Sequence, residues 1–251
     1  MNIPPGHPRR SSLESRELLI KGFDRGIVAK AGLMAHGRGE AFDYLFGERT
    51  HEFAKCSIRS AVGALLLARH PVISVNGNVT SLVLDDTVRL SDATGADIEV
   101  NLFYWTKERE ESILGAFRSS YPDKDVLAQG EENTISGIDS ERSRSNRNGI
   151  VDADVVLTPL EDGDRALALH NQKKTVLTVD LNPFSRTART ADITIVDNIV
   201  RAFPLMVEQS QGMREMQKSE LRKMMKYDNE RNLMRAIDFL KGRAHFLEEI
   251  I

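Results

Sequence analysis

The sequence predicts an α/β fold with a mainly parallel sheet, helices on both of its faces and a helical C-terminal tail. Short β-branched runs, such as 175–179 and 193–196, read as buried strands. These runs alternate with stretches of helical spacing, and strands that alternate with helices form parallel sheets. The 251 residues are 41% apolar and 28% charged, which is ordinary for a globular protein with a substantial core.

Composition also narrows the classes of partner. A formal net charge of −3 argues against a general nucleic-acid binder, because such proteins depend on a basic field. The single cysteine, Cys56, excludes an intramolecular disulfide and fits a reducing compartment. Residues 1–10 lack the apolar run of a signal peptide, and the longest apolar stretch, 61–68, is too short to span a bilayer. We therefore expect a cytoplasmic protein without nucleic-acid or membrane partners.

The first helix should begin near Ser11 or Ser12, because either hydroxyl can cap it. Leu19, Phe23 and Ile27 follow at spacings of four, which predicts a buried stripe.

A glycine-flanked arginine follows in 35–44. Arg38 stands between two glycines, and such a turn allows main-chain N–H groups and a guanidinium to approach an anion together. His36 and Glu40 lie beside it and favour a site. The alternative is an ordinary turn.

The rest of the α/β region reads as alternating elements. Helices are predicted at 51–70, from Thr80 onward, at 106–117 and at 166–171, and strands at 71–75, 97–104, 125–128, 154–158, 175–179 and 193–196. The loops that follow strands should meet at one edge of the sheet, where ligands bind in such folds.

Two of these loops carry amides and acids. Asn76-Gly77-Asn78 follows a strand and precedes a helix, which is equally consistent with an anion pocket and with an ordinary connection. Residues 159–165 contain three acids, which can hold Mg²⁺ or an ammonium group, or can cap the next helix. Residues 131–148 are rich in serine and arginine. Composition favours a solvated segment there over a substrate cover.

The loop at 180–187 carries an acid, an amide, two hydroxyls and an arginine. A hydrophobic core needs no such set of donors. The alternative is a solvated connection, which fits an average loop better, but the density of phosphate-binding groups in this loop favours a nucleotide site. No strong nucleophile or tuned general base stands out in the sequence. Chemistry based on positioning and charge neutralisation, such as phosphoryl or nucleotidyl transfer, fits best.

The composition changes after residue 208. Residues 209–251 are charged and free of proline, and Leu233, Ile237 and Leu240 have helical spacing. We therefore divide the chain into an α/β ligand-binding unit, 1–208, and a helical tail, 209–251, that serves packing or a dimer contact.

Several motifs in this order resemble the archaeal 4-phosphopantoate–β-alanine ligase (phosphopantothenate synthetase) family. They are IPP at 3–5, AHGRGEAFDY at 35–44, VISVNGN at 72–78, EVNLFY at 99–104, ADVVLTPLEDGDR at 153–165, VDLNPFSRT at 179–187 and ITIVDNIVRA at 193–202. The resemblance runs to about Glu208 and transfers nothing to the tail.

This resemblance implies a homodimeric, Rossmann-like ligase of coenzyme A biosynthesis in an archaeal cytoplasm. Such an enzyme joins 4-phosphopantoate to β-alanine through an acyl-adenylate, consuming ATP and releasing AMP and diphosphate. ATP is then a co-substrate, and Mg²⁺ is expected with it.

The resemblance also assigns residues to ATP. They are Arg16, Arg38, Asp180, Leu181, Asn182, Arg186, Thr187, Asn198 and Ile199. From their chemistry we predict that the two carboxylic substrates contact His36, Glu40, Asn76, Asn78, Glu161, Asp162 and Arg165. Within these sets, Arg38, His36, Glu40, Asp162 and Arg165 are the candidate catalytic residues.

Two other classes of function stay open. A non-catalytic nucleotide-binding or regulatory protein would use the same arginines and amides. A sugar-nucleotide or NAD-binding oxidoreductase would need a glycine fingerprint after its first strand, which the chain lacks.

Overall fold

A computed structural model describes residues 4, 6–7, 9–130 and 134–248; the side chains of 36–38 and 244–248 lie outside this description. The sheet has five parallel strands in the order β2-β1-β3-β4-β5. The strands are β1 (Pro71–Val75), β2 (Asp97–Val100), β3 (Val155–Leu157), β4 (Thr175–Asp180) and β5 (Ile193–Val196). The predicted parallel α/β architecture is confirmed.

Helices cover the sheet and continue past it. They are α1 (Arg10–Asp24), α2 (Lys30–Phe46), α3 (Glu52–Leu67), α4 (Gly77–Thr94), α5 (Lys107–Ser120), α6 (Gly163–Asn171), α7 (Arg186–Thr190), α8 (Ile199–Met213), α9 (Lys218–Met224) and α10 (Asn229–Glu248). A 3₁₀ turn, Glu141–Ser143, and a π turn, Arg147–Val151, lie between α5 and β3. Within the described residues, no helix is long and apolar enough to cross a membrane.

Successive strand residues point to opposite faces, and both faces are buried. Ile73, Leu157 and Leu177 belong to the larger core, which includes α3, α4 and α8. Val72 and Val156 belong to a smaller core on the other face, which α6 covers. A parallel sheet that is buried on both sides needs apolar residues at nearly every position. For that reason its strands are recognisable in the sequence as continuous β-branched runs.

The strand order places a topological switch at the centre of the sheet. Ile73 of β1 pairs with Ile98 of β2 on one side and with Leu157 of β3 on the other. The chain leaves β1 toward one edge and later returns to build β3, β4 and β5 toward the opposite edge. The loops after β1 and β3 therefore diverge and leave a crevice at the carboxyl ends of the strands.

The start of α1 differs from the prediction. Ser11 and Ser12 lie inside the helix, which has Arg9 at its N-cap and no side-chain cap. A preceding turn explains the earlier start, because Arg10 N–H donates to the His7 carbonyl at 3.0 Å and Arg9 N–H donates to His7 Nδ1 at 3.0 Å. Leu19 is buried as predicted.

The predicted Gly-Arg-Gly turn within 35–44 is wrong, because this stretch belongs to α2. Phe42 and Phe46 stack with ring centroids 4.4 Å apart, and both are buried. Their packing outweighs the poor helix propensity of the glycines. Main-chain N–H groups in the middle of a helix bond within it, so they are not available to an anion.

Other differences are in element boundaries. The predicted strand 97–104 ends at Val100, and residues 125–128 contribute a single bridge, between Leu127 and Glu99. Helix α4 starts at Gly77, three residues earlier than predicted.

The chain beyond residue 208 is helical, as predicted. It completes α8 and adds α9 and α10, and Leu221, Leu233 and Ala236 are buried there. The division at 208 and 209 falls within α8 and stays a prediction, as does a dimer contact for the tail.

Candidate active site

A cavity of about 830 Å³ opens at the carboxyl ends of the strands. Its walls come from α2, from the loops that follow all five strands, and from Leu240 of α10. The N-termini of α4, α6 and α8 meet at this cavity, because each of these helices follows a strand of the parallel sheet. Helix N-termini carry unpaired N–H groups and a partial positive charge, which favour anions.

The loop after β1 is fixed by side-chain amides. Asn76 caps α4, since its Oδ1 accepts from the N–H groups of Asn78 and Val79 at 3.0 and 3.2 Å. Its Nδ2 donates across the crevice to the carbonyls of Pro159 and Leu160 at 3.3 and 3.4 Å. Both predicted amides, Asn76 and Asn78, line the cavity, and Asn76 ties β1 to β3.

A second amide joins this loop to α2. Asn78 Nδ2 donates to the Gly32 carbonyl at 2.9 Å. Both amides therefore shape the cavity, in addition to any ligand they bind.

The loop after β3 carries a buried cluster of charges. Glu161 accepts from Arg142 and Arg165, and its side chain is only 3% exposed. Arg165 also donates to Ser74 at 3.1 Å, and Arg142 donates to Asp162 at 3.1 Å. Desolvation of the cations lowers the pKa of Arg142 to about 9 and of Arg165 to about 10.

Of the predicted residues in this cluster, two line the cavity and one lies beneath its wall. Glu161 and Asp162 line the cavity, and Asp162 also caps α6 through a 2.9 Å bond from Arg165 N–H. Arg165 has no exposed surface and lies beneath the cavity wall. Its geometry is that of a positioning residue that holds Glu161 in place, in contrast to the direct contact predicted for it.

The interpretation of residues 131–148 as a solvated segment is wrong for Arg142, which is 6% exposed and lines the cavity. Residues 131–133 lie outside the described residues. Buried polar side chains hold the rest of the segment. Glu99 accepts from Asn146 and Ile150 N–H at 3.0 and 2.6 Å, and Asn101 donates to the Arg144 carbonyl at 2.9 Å.

Glu99, which accepts two of these hydrogen bonds, is a buried carboxyl group with a shifted pKa. Desolvation raises the pKa of Glu99 to about 7. Hydrogen bonds from Ile150 and Asn146 and the charge of Arg165 act in the opposite direction and offset part of this rise.

The loop after β4 wraps around its own acid. Asp180 accepts from Asn182 N–H at 2.9 Å and from the Ser185 hydroxyl, and Asn182 Oδ1 accepts from Phe184 N–H at 3.0 Å. Thr187 donates to the Glu161 carbonyl at 3.0 Å, which joins this loop to that of β3. Residues 180–187 all line the cavity, including the predicted ATP contacts.

Arg186 of this loop is exposed and pairs with Asp164 at 2.7 Å. An exposed pair of this kind has little net stability and can be exchanged for a ligand phosphate.

The loop after β5 ends in a cap and an ion-pair network. Asn198 caps α8 by accepting from Val200 N–H at 3.3 Å. Arg201 donates to Asp43 at 2.6 Å and to Asp197 at 2.8 Å, so α2 and α8 are held together beside Asn198. Burial raises the pKa of Asp197, although Arg201 opposes this. Asn198 and Ile199 line the cavity, as their predicted role requires.

Besides Arg165, the predicted residues Arg16 and Glu40 lie away from the cavity lining. Glu40 forms ion pairs with Arg9 and, at 2.9 Å, with Arg16. The guanidinium group of Arg16 is therefore paired with a carboxylate of the same chain. The side chains of His36 and Arg38 lie outside the described residues; their backbone is part of α2.

Arg109 lines the cavity and was not predicted. It belongs to the first turn of α5, and its Nε and Nη1 donate to the carbonyls of Ile27 and Tyr104 at 3.1 and 2.5 Å. Partial burial lowers its pKa. No sequence signal distinguished Arg109, because Glu108 and Glu110 flank it in the same turn and balance its charge along the chain.

Within the residues described, no group of three or more His, Cys, Asp or Glu side chains could hold a metal ion. Mg²⁺ that binds mainly through nucleotide phosphates and water does not need such a group.

Comparison with known proteins decides the family. Residues 53–243 match the family described as phosphopantothenate/pantothenate synthetase. The chain belongs to this family. A relative from Thermococcus kodakarensis, named 4-phosphopantoate–beta-alanine ligase, is 52% identical over 99% of this chain and 96% of its own length. A relative of the same name from Methanosarcina mazei is 48% identical over 94% of this chain and 93% of its own. The family predicted from the motifs is confirmed.

Proposed function

We propose that the protein is an ATP-dependent ligase that joins 4-phosphopantoate and β-alanine into 4′-phosphopantothenate, a step of coenzyme A biosynthesis. The observation that carries the proposal is the match to ligases of this name over nearly the whole chain. The cavity supports it, because three helix N-termini and the guanidinium groups of Arg109, Arg142 and Arg186 surround a space of about 830 Å³, where phosphates and carboxylates would bind.

The chemistry we propose has two steps. A carboxylate oxygen of 4-phosphopantoate attacks the α-phosphorus of ATP, and diphosphate leaves, which gives an acyl-adenylate. The amine of β-alanine then attacks the acyl carbon, loses a proton, and AMP leaves. Neither step requires a protein nucleophile. The protein contributes positioning and stabilisation of negative charge, which the helix N-termini and guanidinium donors around the cavity supply.

We assign ATP to the loops after β4 and β5. Asp180 and Asn182 suit the nucleoside, and Arg186, Thr187 and the N-terminus of α8 suit the phosphates. Mg²⁺ would bind with the phosphates of ATP, as it does in many nucleotide sites. For Arg16 and Arg38 the ATP role stays a prediction.

We assign the two carboxylic substrates to the β1 and β3 side of the cavity. Asn76, Asn78, Glu161 and Asp162 lie there, with Arg165 holding Glu161 from below. The roles predicted for His36 and Glu40 remain proposals. So does the homodimer, whose contact would cover exposed apolar side chains such as Met34 of α2 and Met234 of α10. We also propose a cytoplasmic location.

The decisive experiment measures AMP formation from ATP with 4-phosphopantoate and β-alanine, each omitted in turn. We expect sustained AMP release from ATP only when both 4-phosphopantoate and β-alanine are present. When β-alanine is omitted, we expect an acyl-adenylate that can be trapped. A non-catalytic nucleotide-binding protein would release no AMP under any condition, and that result would contradict the proposal.

A pair of variants on α7 tests the nucleotide assignment. Arg186→Ala removes a cavity guanidinium, so ATP affinity should fall about tenfold, as expected for a lost charge-assisted hydrogen bond. Arg189→Ala, three residues along the same helix and outside the cavity lining, is the matched control. Equal ATP affinity in both variants would reject the role of Arg186.

A further inference from the structure

Arg109 is the cavity cation whose charge no carboxylate balances among the described residues. Arg142 meets Glu161 and Asp162, and Arg186 meets Asp164. Arg109 instead donates to two main-chain carbonyls, and desolvation is the cause that lowers its pKa. A half-buried guanidinium without a carboxylate partner is costly, and an anionic ligand beside it would offset that cost.

The carbonyl contacts also fix where Arg109 can act. Nε and Nη1 are held by Ile27 and Tyr104, and Nη2 lies 3.0 Å from the place that a Cβ on Gly77 would occupy. Gly77 is the first residue of α4, so the guanidinium and the positive end of a helix that is 18 residues long lie together. Asn76 already accepts from the N–H groups of Asn78 and Val79, so an anion here would be held by Nη2 of Arg109 and by the partial positive charge of the helix end.

A second cation faces the same region. Arg142 and Arg109 line the same cavity. Burial is the main cause of the lowered pKa of Arg142, and the positive charge of Arg109 adds to it, as expected for two guanidinium groups that repel each other. An anion between them, or beside Arg109, would relieve this repulsion.

The strand order separates this region from the proposed ATP site. Helix α4 follows β1, and the loop of Arg186 and Thr187 follows β4, with β3 between them. Two strand spacings place the two regions about 10 Å apart. A dianionic group near Arg109 is therefore more consistent with the second phosphorylated substrate than with the triphosphate.

We infer that Arg109, with the N-terminus of α4 at Gly77, binds the phosphate group of 4-phosphopantoate and so selects the phosphorylated substrate. The inference rests on the proposed function, because that function supplies a substrate with a phosphate at one end and a carboxylate at the other. With the phosphate at β1, the carboxylate extends toward β3 and the α-phosphate of ATP.

The test uses the full-length protein with Arg109→Gln, which keeps hydrogen-bonding capacity and removes the charge, and Arg109→Lys, which keeps the charge. Arg118→Gln, on the exposed side of the same helix, is the matched control. Calorimetry measures binding of 4-phosphopantoate and of ATP separately, and steady-state assays measure KM for each of the three substrates.

We expect Arg109→Gln to weaken 4-phosphopantoate binding by about 10- to 100-fold, because the variant loses a charged hydrogen bond to the phosphate. Arg109→Lys should weaken binding less, because lysine keeps the charge. The affinity for ATP and the KM for β-alanine should change by less than about twofold, and Arg118→Gln should match the wild type.

Wild-type affinity for 4-phosphopantoate in Arg109→Gln would overturn the inference, as would an equal or larger loss of ATP affinity. If Arg109→Gln unfolds, the same comparison is made with Arg109→Lys. Because binding is measured without turnover, failure of this inference is distinct from failure of the proposed function, which would appear as a wild-type enzyme that releases no AMP.

Discussion

Glu161 and Arg165 lie one helical turn apart and form an ion pair in which the side chains are 3% and 0% exposed. Glu161 also meets Arg142, so a single carboxylate compensates two buried cations. Because removing one member of a buried ion pair leaves the other charge without compensation, such changes are strongly destabilising.

We therefore predict that Glu161→Gln lowers the free energy of unfolding by about 3–5 kcal/mol and strongly reduces AMP formation. Glu141→Gln, which breaks an exposed pair with Arg144 in the same region, is the control and should change stability by less than about 1 kcal/mol. Urea titration of both variants measures the difference, and equal effects would show that burial of the Glu161 cluster carries no special energy.

Glu99 should give the protein a pH-dependent stability. Its pKa is about 7 in the folded protein, above the ordinary glutamate value of 4.5, so the folded state binds more protons between these values. The contribution of Glu99 to stability is therefore fully present below about pH 4.5 and is lost as the pH rises through about 7. The total change is roughly 3 kcal/mol.

Glu99→Gln removes this titration. The stability of the variant relative to the wild type should rise between pH 5 and about pH 8, because only the wild type loses stability through Glu99 over that range. Urea titrations of both proteins across this pH range measure the difference. A difference that does not change with pH would show that Glu99 keeps the same protonation state throughout.

Asn76 joins a helix cap to the crevice between β1 and β3. Asn76→Ala should cost about 1 kcal/mol for the lost cap and reduce kcat by at least about tenfold, since the loops after β1 and β3 lose their link. Asp228→Ala removes a comparable bond to Arg231 N–H at the start of α10, far along the chain from this crevice. It should lose similar stability and keep its kcat; a matching loss of kcat would mean that reduced stability alone explains the Asn76 effect.

Two glycines should respond in opposite directions to alanine. A Cβ on Gly77 would lie 2.2 Å from the Ile27 carbonyl oxygen, the same atom that accepts from Arg109, so Gly77→Ala should destabilise the protein by about 1–3 kcal/mol. A Cβ on Gly115 in α5 would meet nothing within 4 Å, so Gly115→Ala should stabilise it by about 0.5–1 kcal/mol. Thermal unfolding of the two variants checks both signs.

The strands and most of the loops at their carboxyl ends were predictable from the sequence for a physical reason. A parallel strand that is buried on both sides must be apolar throughout, so 71–75 and 193–196 were evident. The cap at Asn76 directly follows such a strand, and the cap at Asp162 lies in the loop after another. The sheet topology brings both loops to the same cavity.

The parts that were missed depend on tertiary contacts. Two glycines made 35–44 resemble a turn, but stacking of Phe42 on Phe46 keeps it helical. Arg142 lies in a stretch with no periodicity, and its burial depends on Glu161, which is 19 residues further along the chain. Arg109 belongs to a highly charged helix and so resembled a solvent-exposed residue.

The cavity wall extends from Ala29, the residue before α2, to Leu240 of α10, so distant parts of the chain contribute to one space. During folding, the complete space forms only when α2 and α10 have both docked. Bound substrate would then stabilise the complete chain as one cooperative unit. Ligand concentration in the cell would thus influence how long each newly made molecule survives proteolysis.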